Sequence, residues 1–330
     1  MLQSLHRIHG AVIPVLNQVR LAEHLEVAED IETQLEFNGT SISCVKLANL
    51  LDTLNKKIPE RGLGLKLASQ FQLGDTGLFG LAMMNAANFQ QALEFFARYL
   101  PLVADHTSFT ATLGKQNASL EWRYSPFLQN RNEYIDFCIA LSLRQFSQFH
   151  PSGWKPLSVS LQRSRVDGDV KRISLFSNVI KYDCESHVME FLPASLQSKN
   201  PNADYRVFDT LVELCETHLA SKKNALSFDD RAKEFILSEL GAEKPTLDKL
   251  ASHFRMVPRT MQRRLSALGL SFEKLVSEVQ REYSDFLLLE TQSTLEDISK
   301  KLGFSSSASY SRVASEWYGV PAGQMRTKLH

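Results

Sequence analysis

Between residues 246 and 326 the apolar positions repeat with the period of an α-helix, and they do so in two separate units. In each unit a short amphipathic helix precedes a tight turn and a second helix with one apolar and one polar face. The apolar stripe of the first unit consists of Leu247, Leu250, Ala251, Phe254, Met261 and Leu265. The stripe of the second unit consists of Leu295, Ile298, Leu302, Tyr310, Val313, Ala314 and Trp317. The pattern predicts two helix-turn-helix units.

The residues that flank these helices have the chemistry of helix ends. Thr246 precedes the first stripe, where its hydroxyl oxygen would accept from free backbone N–H groups. Pro258 suits the first turn of a helix, because its missing N–H has no partner to lose there. Thr294 with Asp297 resembles a capping pair, and Gly303 supplies a left-handed residue that ends a helix.

The polar faces of the two second helices carry the candidate chemistry. In the first unit the residues opposite the apolar stripe are Arg259, Gln262 and Arg263. In the second unit they include Ser307, Ser311 and Arg312. Arginine binds phosphate and reads guanine, so these faces indicate DNA binding. Surface arginines on an ordinary helical domain are the alternative interpretation of each unit taken alone.

Charge is distributed unevenly along a chain whose formal net charge is zero. Residues 245–330 contain twelve Lys and Arg against nine Asp and Glu, a net charge of +3. The first 244 residues contain 25 basic and 28 acidic side chains, a net charge of −3. The basic end is therefore the end that carries the paired helices, as a nucleic-acid-binding domain requires.

The C-terminal motifs resemble the AraC/XylS family of transcription regulators. The resemblance spans the whole domain in order, through Pro258–Leu265, the linker that begins at Ser271, Leu295–Phe304 and Tyr310–Arg326. It implies two helix-turn-helix units joined by one linker helix, each reading a major groove on the same side of the DNA. By position it implies groove-facing roles for Arg259, Gln262, Arg263, Ser307, Ala308, Ser311 and Arg312. Two residues depart from the family pattern: Val257 stands where a capping serine is usual, and Ala314 where a second core phenylalanine is common.

Helix geometry agrees with that arrangement. A linker helix over residues 271–290 would span about 30 Å at a rise of about 1.5 Å per residue. One turn of DNA is about 34 Å long, so two recognition helices can enter successive major grooves.

The N-terminal region mixes helical and strand patterns. Helices are predicted near 17–27, 41–56, 89–103 and 132–149. Alternating residues over 108–113 and 119–124, with a turn at 114–117, predict a β-hairpin. Further strands are expected at 157–161, 179–182 and 187–191. The predicted fold class is an α+β domain, an antiparallel sheet with helices, followed by the all-α C-terminal domain.

This N-terminal segment resembles the "arabinose-binding" sensor domain of one AraC subgroup, through Leu63–Ser69, Gly74–Gly80, Phe89–Tyr99 and residues 179–196. The resemblance implies a small-molecule sensor but does not imply arabinose, since members of the subgroup are thought to respond to varied metabolites, including amino acids and fatty-acid-like compounds. The effector-binding residues stay unknown at this point. Candidates are the apolar run 77–84, three aromatic residues and two arginines, and each also fits an ordinary core or surface role: Trp122, Tyr124, Trp154, Arg123 and Arg144.

Three segments are expected along the chain: residues 1–200 for sensing, 201–241 for connecting helices, and 242–330 for DNA binding. Val207, Leu211, Leu214 and Leu219 mark one connecting helix, and residues 228–240 mark another that Gly241 would end. Two roles are open for this pair, dimerisation or packing against the sensor domain.

Other functional classes receive no support from the sequence. Cys44, Cys138, Cys184 and Cys215 are scattered, so neither a disulfide framework nor a zinc site is expected, and Cys184 with His187 makes only half of one. No nucleotide fingerprint, catalytic motif, membrane span or signal layout occurs, which leaves no expected cofactor or metal and a cytoplasmic location.

The sequence therefore predicts a DNA-binding transcription regulator controlled by a small-molecule effector. Its expected partners are double-stranded DNA, the effector, RNA polymerase and a second copy of the chain. Two alternatives are a ligand-independent dimeric regulator and an enzyme with an appended DNA-binding domain. Activation and repression cannot be distinguished, because the sign of regulation depends on where the operator lies.

Overall fold

The computed structural model describes residues 6–27, 29, 41–58, 62–105, 107–150, 154–165, 179–240 and 244–328. The chain divides into two compact units, Ser4–Lys223 and Asn224–His330. The predicted connecting segment, residues 201–241, is thus shared between the two units, and its predicted end at Gly241 lies outside the described residues.

The first unit contains seven strands among its described residues, arranged in two sheets. The strands are β1 (Arg7–His9), β2 (Ser41–Ser43), β3 (Thr107–Leu113), β4 (Ala118–Tyr124), β5 (Ser158–Ser160), β6 (Ile180–Lys181) and β7 (His187–Phe191). Strands β1 and β2 form a small antiparallel pair, and the other five form one sheet in the order β3-β4-β7-β5-β6. The predicted hairpin is confirmed, with Phe109 opposite Trp122 in the β3–β4 register. One expectation of the antiparallel sheet is wrong at its edge, because β5 and β6 run parallel.

Among the described residues, seven α-helices accompany these sheets: α1 (Val12–Ala22), α2 (Cys44–Asn55), α3 (Leu63–Gln70), α4 (Leu78–Asn85), α5 (Phe89–Tyr99), α6 (Asn132–Ser147) and α7 (Tyr205–Ala225). The α+β prediction for this region is confirmed, but several boundaries differ. The helix predicted near 17–27 begins at Val12 and stops where His24 takes a φ of 53°. Residues 41–43 pair with β1, so α2 begins at Cys44, and α5 ends at Tyr99 before a 3₁₀ turn that contains Pro101.

Aromatic side chains join the sheet to the helices. Phe96 of α5 packs against Phe109 of β3 at 4.9 Å between ring centroids and against Phe146 of α6 at 5.1 Å. Phe109 in turn lies edge-on to Trp122 at 5.5 Å. Such pairs add to the stabilisation from area burial alone, so this cluster forms the contact between helices and sheet.

The start of α3 approaches α6 too closely for a side chain. A Cβ atom at Gly64 would lie 1.9 Å from the backbone oxygen of Glu133, and the Gly64 N–H donates to Glu133 Oε2 at 2.9 Å. Asn55 Nδ2 donates to the other carboxylate oxygen at 2.7 Å. The glycine therefore allows two backbones to meet at a point where a half-buried carboxylate joins three helices.

The second unit is entirely helical in its described part. It contains α8 (Phe228–Glu239), α9 (Leu247–His253), α10 (Pro258–Ala267), α11 (Phe272–Leu289), α12 (Leu295–Lys301), α13 (Ser307–Tyr318) and α14 (Ala322–Lys328). The prediction of a linker helix over 271–290 is confirmed, with Ser271 as the cap that accepts from Lys274 N–H at 3.1 Å. None of the helices in the described chain has both the length and the apolar character needed to cross a bilayer.

Helix α11 lies at the centre of this unit. Leu275, Val279 and Tyr283 on its buried face are at most 1% exposed. Its polar groups bind neighbours on both sides: Glu278 pairs with Lys233 of α8 at 2.8 Å, and Gln280 donates to the carbonyl of Leu302 at 2.8 Å. A single helix thus sets the position of the elements before and after it.

Replacement of Gly64 by alanine should destabilise the first unit by about 1–3 kcal/mol or more, because α3 must move away from α6 to admit the methyl group. The matched control is Gly74→Ala, where the new Cβ would meet Leu81 Cδ2 at an ordinary 3.6 Å. Chemical denaturation of the full chain measures both free energies. Equal stability of the two variants would contradict the close approach.

Candidate functional site

The first helix-turn-helix unit consists of α9, a short turn and α10. Thr246 Oγ1 accepts from Lys249 N–H at 3.2 Å, which confirms the predicted cap. The turn is closed by Met256 N–H donating to the carbonyl of Ala251 at 2.8 Å, and Arg255 takes a φ of 54° there. Pro258 begins α10, also as predicted.

The two faces of α10 differ as the periodicity predicts. Met261 and Leu265 are 0% and 1% exposed and form the packing face. Arg259, Gln262 and Arg263 are exposed, and none of them makes a hydrogen bond or ion pair with any residue in the described part of the chain. Three long polar side chains are therefore available to a partner on this face.

The neighbouring Arg264 is used differently. Its guanidinium carbon lies 4.2 Å from the centre of the Phe228 ring, a cation–π contact with α8. Arg231 makes a similar contact with Phe254 at 5.4 Å. Arg259, Arg263 and Arg264 are all exposed, but of these three only Arg264 lies against an aromatic ring, a difference that the composition of the stretch did not reveal.

The second helix-turn-helix unit consists of α12, a turn and α13, and each of these two helices begins with a capping box. Thr294 Oγ1 accepts from Asp297 N–H at 3.1 Å, which confirms the predicted pair. Gly303 has a φ of 76°, as its predicted role requires. Ser306 caps α13 by accepting from Ser309 N–H at 3.1 Å, a cap that the sequence reading missed although its serine-rich sequence contains the signal.

Helix α13 turns Tyr310 and Ala314 into the core, where both are 0% exposed. Ser307, Ala308 and Arg312 are exposed, whereas Ser311 is half-buried with its carbonyl accepting from the Ser315 hydroxyl at 2.8 Å. Ala314, one of the two departures from the family pattern, is buried, so the helix packs there with a small residue.

The two departures from the family pattern have different consequences. Val257 is the N-cap of α10, 64% exposed, and its side chain accepts no hydrogen bond. Helix α10 therefore begins with no side-chain cap, whereas α9, α11, α12 and α13 each have one.

A separate cavity lies in the N-terminal compact unit, Ser4–Lys223, which is the first unit of the fold. It measures about 590 Å³ with its mouth to solvent, and its walls come from β1, α1, the 3₁₀ helix Leu73–Thr76, α4, α5, β3, β4 and α6. Phe79 from the predicted apolar run lines it, as do Trp122 and Tyr124. No Asp, Glu, Lys or Arg occurs among the described residues that line the cavity.

The other pocket candidates lie elsewhere. Trp154 stacks on His150 at 5.0 Å and donates to Ser195 Oγ at 3.2 Å. Arg123 is exposed and bonded to Glu121 at 2.9 Å, and Arg144 donates to the carbonyl of Ala68. Neither arginine therefore offers its charge to a ligand in this cavity.

The ionisable groups that line the cavity are held in their neutral forms. Burial lowers the pKa of His9, and it raises the pKa of Cys138 to about 12. Burial likewise raises the pKa of Tyr124 well above its usual value. At neutral pH the cavity is thus uncharged.

The cysteines and the pair at 184 and 187 give no metal centre among the described residues. All four cysteines are free thiols, and no group of three His, Cys, Asp or Glu side chains in that part of the chain is placed to hold a metal ion. His187 is 3% exposed and lies edge-on to the Tyr124 ring at 5.6 Å.

Comparison with known proteins agrees with the two-part architecture. A family model described as the arabinose-binding domain of AraC transcription regulators, N-terminal, matches residues 20–200, and a helix-turn-helix domain model matches residues 250–328. An uncharacterised helix-turn-helix transcriptional regulator of Mycobacterium tuberculosis is 25% identical over 267 residues, 79% of this chain and 77% of the relative.

Two further relatives are similar over different lengths. The helix-turn-helix transcriptional regulator VqsM of Pseudomonas aeruginosa is 21% identical over 274 residues, 81% of this chain and 84% of VqsM. The virulence regulon transcriptional activator VirF of Shigella flexneri is 26% identical over 98 residues, 29% of this chain and 37% of VirF.

Replacement of Val257 by serine should stabilise the C-terminal compact unit by about 1 kcal/mol, because the new hydroxyl can accept from the free N–H groups of the first turn of α10. The mirror-image control is Thr246→Val, which removes an existing cap and should cost about the same amount. Denaturation midpoints of the full chain measure both changes. If Val257→Ser does not stabilise the protein and Thr246→Val does not destabilise it, the capping argument is wrong.

Acidification should destabilise the first unit partly through His187. Burial first, and the nearby charge of Arg163 second, lower the pKa of His187 to about 4 from its ordinary 6.5. Between about pH 4 and 6.5, His187 is therefore protonated in the unfolded chain and neutral in the folded chain. The stability contribution is complete above about pH 6.5 and is lost as the pH falls towards 4, by roughly 3 kcal/mol in total.

The measurement is the free energy of unfolding across that pH range for His187→Phe, with the exposed His218→Phe of α7 as the control. The first variant should flatten the pH profile and the second should leave it unchanged. Parallel profiles for wild type and His187→Phe would show that His187 does not govern this dependence.

Proposed function

The chain belongs to the AraC family of transcription regulators, and we propose that it reads DNA with α10 and α13 and responds to a small molecule bound in its first unit. It is a transcription regulator with a sensor-type N-terminal domain and a helix-turn-helix DNA-binding domain. We further propose which residues contact the DNA, that a small molecule controls the binding, and that the chain acts as a homodimer.

The DNA contacts are assigned to the outward faces of the two second helices. In the first helix-turn-helix unit they are Arg259, Gln262 and Arg263, and in the second helix-turn-helix unit they are Ser307, Ala308, Ser311 and Arg312. The observation that carries this assignment is that Arg259, Gln262, Arg263 and Arg312 are exposed without a hydrogen bond or ion pair to the described residues. Bidentate arginine suits guanine and glutamine suits adenine, so these side chains have the chemistry of direct readout.

The spacing supports binding to two successive major grooves. Helix α11 has 18 residues, which corresponds to about 27 Å at a rise of about 1.5 Å per residue. The repeat of the major groove along one side of the duplex is about 34 Å. A rigid linker of this length can hold two recognition helices about one turn of DNA apart.

Phosphate contacts should provide most of the affinity and a steep dependence on salt, whereas contacts to base edges provide sequence selectivity. A regulator of this kind acts where the genome is, so a cytoplasmic location follows from DNA binding. RNA polymerase is the expected protein partner, and the similarity to the activator VirF favours activation.

We assign effector binding to the cavity of the first unit. A ligand changes regulation only if it binds the competent and incompetent states with different affinity, so its expected effect is on assembly or on the DNA-binding unit. The chain is proposed to act as a homodimer, as regulators of this family commonly do. Helix α7 carries exposed apolar residues suited to a contact with a second copy, namely Tyr205, Val207 and Leu214.

Two alternatives remain distinguishable by experiment. In a ligand-independent dimeric regulator the cavity would be a packing defect, and no small molecule would raise the melting temperature of the protein. In an enzyme with an appended DNA-binding domain, a bound metabolite would be turned over. We propose a non-enzymatic regulator. In that case a ligand at 100 times its Kd should add about 2.7 kcal/mol of stability and should not be consumed.

Arg263→Ala and Arg312→Ala should each weaken binding to the operator by about 1–3 kcal/mol if the guanidinium reaches a base. Binding to scrambled DNA should weaken much less, so the ratio of the two affinities falls. Fluorescence anisotropy with labelled duplexes at fixed salt measures both affinities.

The control variant is Arg264→Ala, which removes the same charge from the adjacent position but from a side chain that lies on Phe228. It should lower stability and leave the ratio of operator to scrambled affinity unchanged. If Arg263→Ala and Arg312→Ala retain the wild-type ratio, the assignment of these residues to base readout is wrong.

A further inference from the structure

We propose that the effector is an uncharged, mostly apolar carbonyl compound, such as a ketone, ester or lactone, whose oxygen binds unpaired polar groups in the cavity of the first unit. This inference rests on the proposed function, because it assumes that the first unit senses a small molecule. It specifies the chemical class that the cavity accepts and the classes that it refuses.

The apolar character of the ligand follows from the cavity walls. Most of the lining consists of aliphatic and aromatic side chains, among them Ile8, Val12, Phe79, Phe96, Leu100 and Phe137. A hydroxyl group that faces these aliphatic and aromatic walls, out of reach of the cavity's few polar side chains, would lose its hydrogen bonds to water and gain none in return. Because that loss is costly for each hydroxyl, a free sugar is a poor fit.

The ligand also needs a hydrogen-bonding oxygen, because the cavity contains polar groups without partners. The atoms are Thr76 Oγ1, Thr107 Oγ1, Trp122 Nε1 and Tyr124 Oη, each buried and with no hydrogen bond to a described residue. They are four of the eight such side-chain atoms in the described part of the chain, so the unpaired groups concentrate at this cavity. Buried polar groups are normally paired, and such a cluster points to a missing partner.

Burial of these groups is well defined. Trp122 is 2% exposed and Thr76 is 8% exposed, and the hydroxyl oxygens of the half-buried Thr107 and Tyr124 are themselves buried, so water on the outer surface does not satisfy these four atoms. The indole N–H can only donate, whereas the hydroxyls can donate or accept. A ligand that pairs with the indole must therefore supply an acceptor. A carbonyl oxygen is the simplest one, and its two lone pairs can accept from Trp122 Nε1 and from one of the hydroxyls.

The β3–β4 hairpin explains why these groups converge. Trp122 and Tyr124 are two residues apart on β4 and so lie on the same face of the sheet. Thr107 is directly opposite Tyr124 in the β3–β4 register, which places it on that face as well. Thr76 reaches the cavity from the 3₁₀ helix Leu73–Thr76.

The absence of charge excludes other metabolite classes. No Asp, Glu, Lys or Arg occurs among the described lining residues, and burial shifts the pKa values of His9, Cys138 and Tyr124 in the direction that favours their neutral forms. A carboxylate or ammonium group would be buried here without a counter-charge, which is strongly unfavourable. Amino acids, fatty-acid anions and sugar phosphates are therefore refused.

The first experiment uses the ligand-free full chain. Thr107→Val keeps the shape of the side chain and removes a hydroxyl that has no partner, so the melting temperature of the first unit should rise by about 2–4 °C. The control is Thr110→Val on the same strand, whose side chain is exposed on the opposite face. A fall in melting temperature for Thr107→Val, or an equal rise for both variants, would overturn the claim that the Thr107 hydroxyl is unpaired.

The second experiment measures ligand binding to the full chain by thermal shift and by Trp fluorescence. The probes are 2-octanone and γ-octalactone as neutral carbonyl compounds, octanoate and octylamine as charged analogues of the same chain length, and L-arabinose. The two carbonyl probes should stabilise the protein and the other three should not. Thr107→Val and Trp122→Phe should weaken the binding about tenfold, whereas Thr110→Val should bind as wild type does.

The outcomes separate this inference from the proposed function. If octanoate, octylamine or L-arabinose stabilises the protein and changes operator affinity, regulation by an effector stands and the chemical class is wrong. If the carbonyl probes bind equally well to Thr107→Val and Trp122→Phe, or if no probe binds, the inference is overturned. Effector control itself fails only if an extract of cellular metabolites also leaves operator affinity unchanged.

Discussion

The buried face of α11 is the constraint on which the DNA-binding unit depends. Ser284, which is 0% exposed, shares hydrogen bonds with Tyr310 Oη at 2.7 Å and Tyr318 Oη at 3.0 Å. Trp317 Nε1 donates to Ser277 Oγ at 3.2 Å on the same helix. Because a buried hydroxyl is costly unless it is paired, these bonds permit few orientations of α13 against α11. The outward face of α13 is therefore set by contacts on its inner side.

Contacts on the inner side likewise distinguish the packing residues from the outward residues of the first helix-turn-helix unit. Met261 and Leu265 pack inward, and Arg264 covers Phe228. Their contacts hold α10 so that Arg259 and Arg263 point away from the core. The N-terminal compact unit shows the opposite arrangement. There the polar atoms of Trp122 and Tyr124 are buried and have no hydrogen-bond partner among the described residues. One compact unit thus exposes charged side chains that have no partner among the described residues, whereas the other buries neutral polar atoms that have none.

The helical domain was largely predictable because its signals are local. A stripe such as Leu295, Ile298 and Leu302 needs only the helical period, and the caps at Thr246 and Thr294 need only neighbouring backbone N–H groups. The hairpin at β3–β4 was predictable for the same reason. The parallel pairing of β5 with β6 was not, since strands joined by a long connection carry no local record of their direction. The true start of α1 at Val12 was missed as well, and its inward residues pack against elements far away in the chain.

By itself the sequence determined the two helix-turn-helix units, the linker helix between them, the α+β character of the N-terminal unit and, except for the half-buried Ser311, the outward residues of α10 and α13. These depend on interactions within a few residues, which periodicity and capping chemistry record. Only the tertiary structure decided that Arg264 serves packing, that Arg123 and Arg144 are engaged elsewhere, and that Thr76, Thr107, Trp122 and Tyr124 meet unpaired at one cavity. Whether a polar side chain has a partner depends on residues brought close by the fold, and no local pattern contains that information.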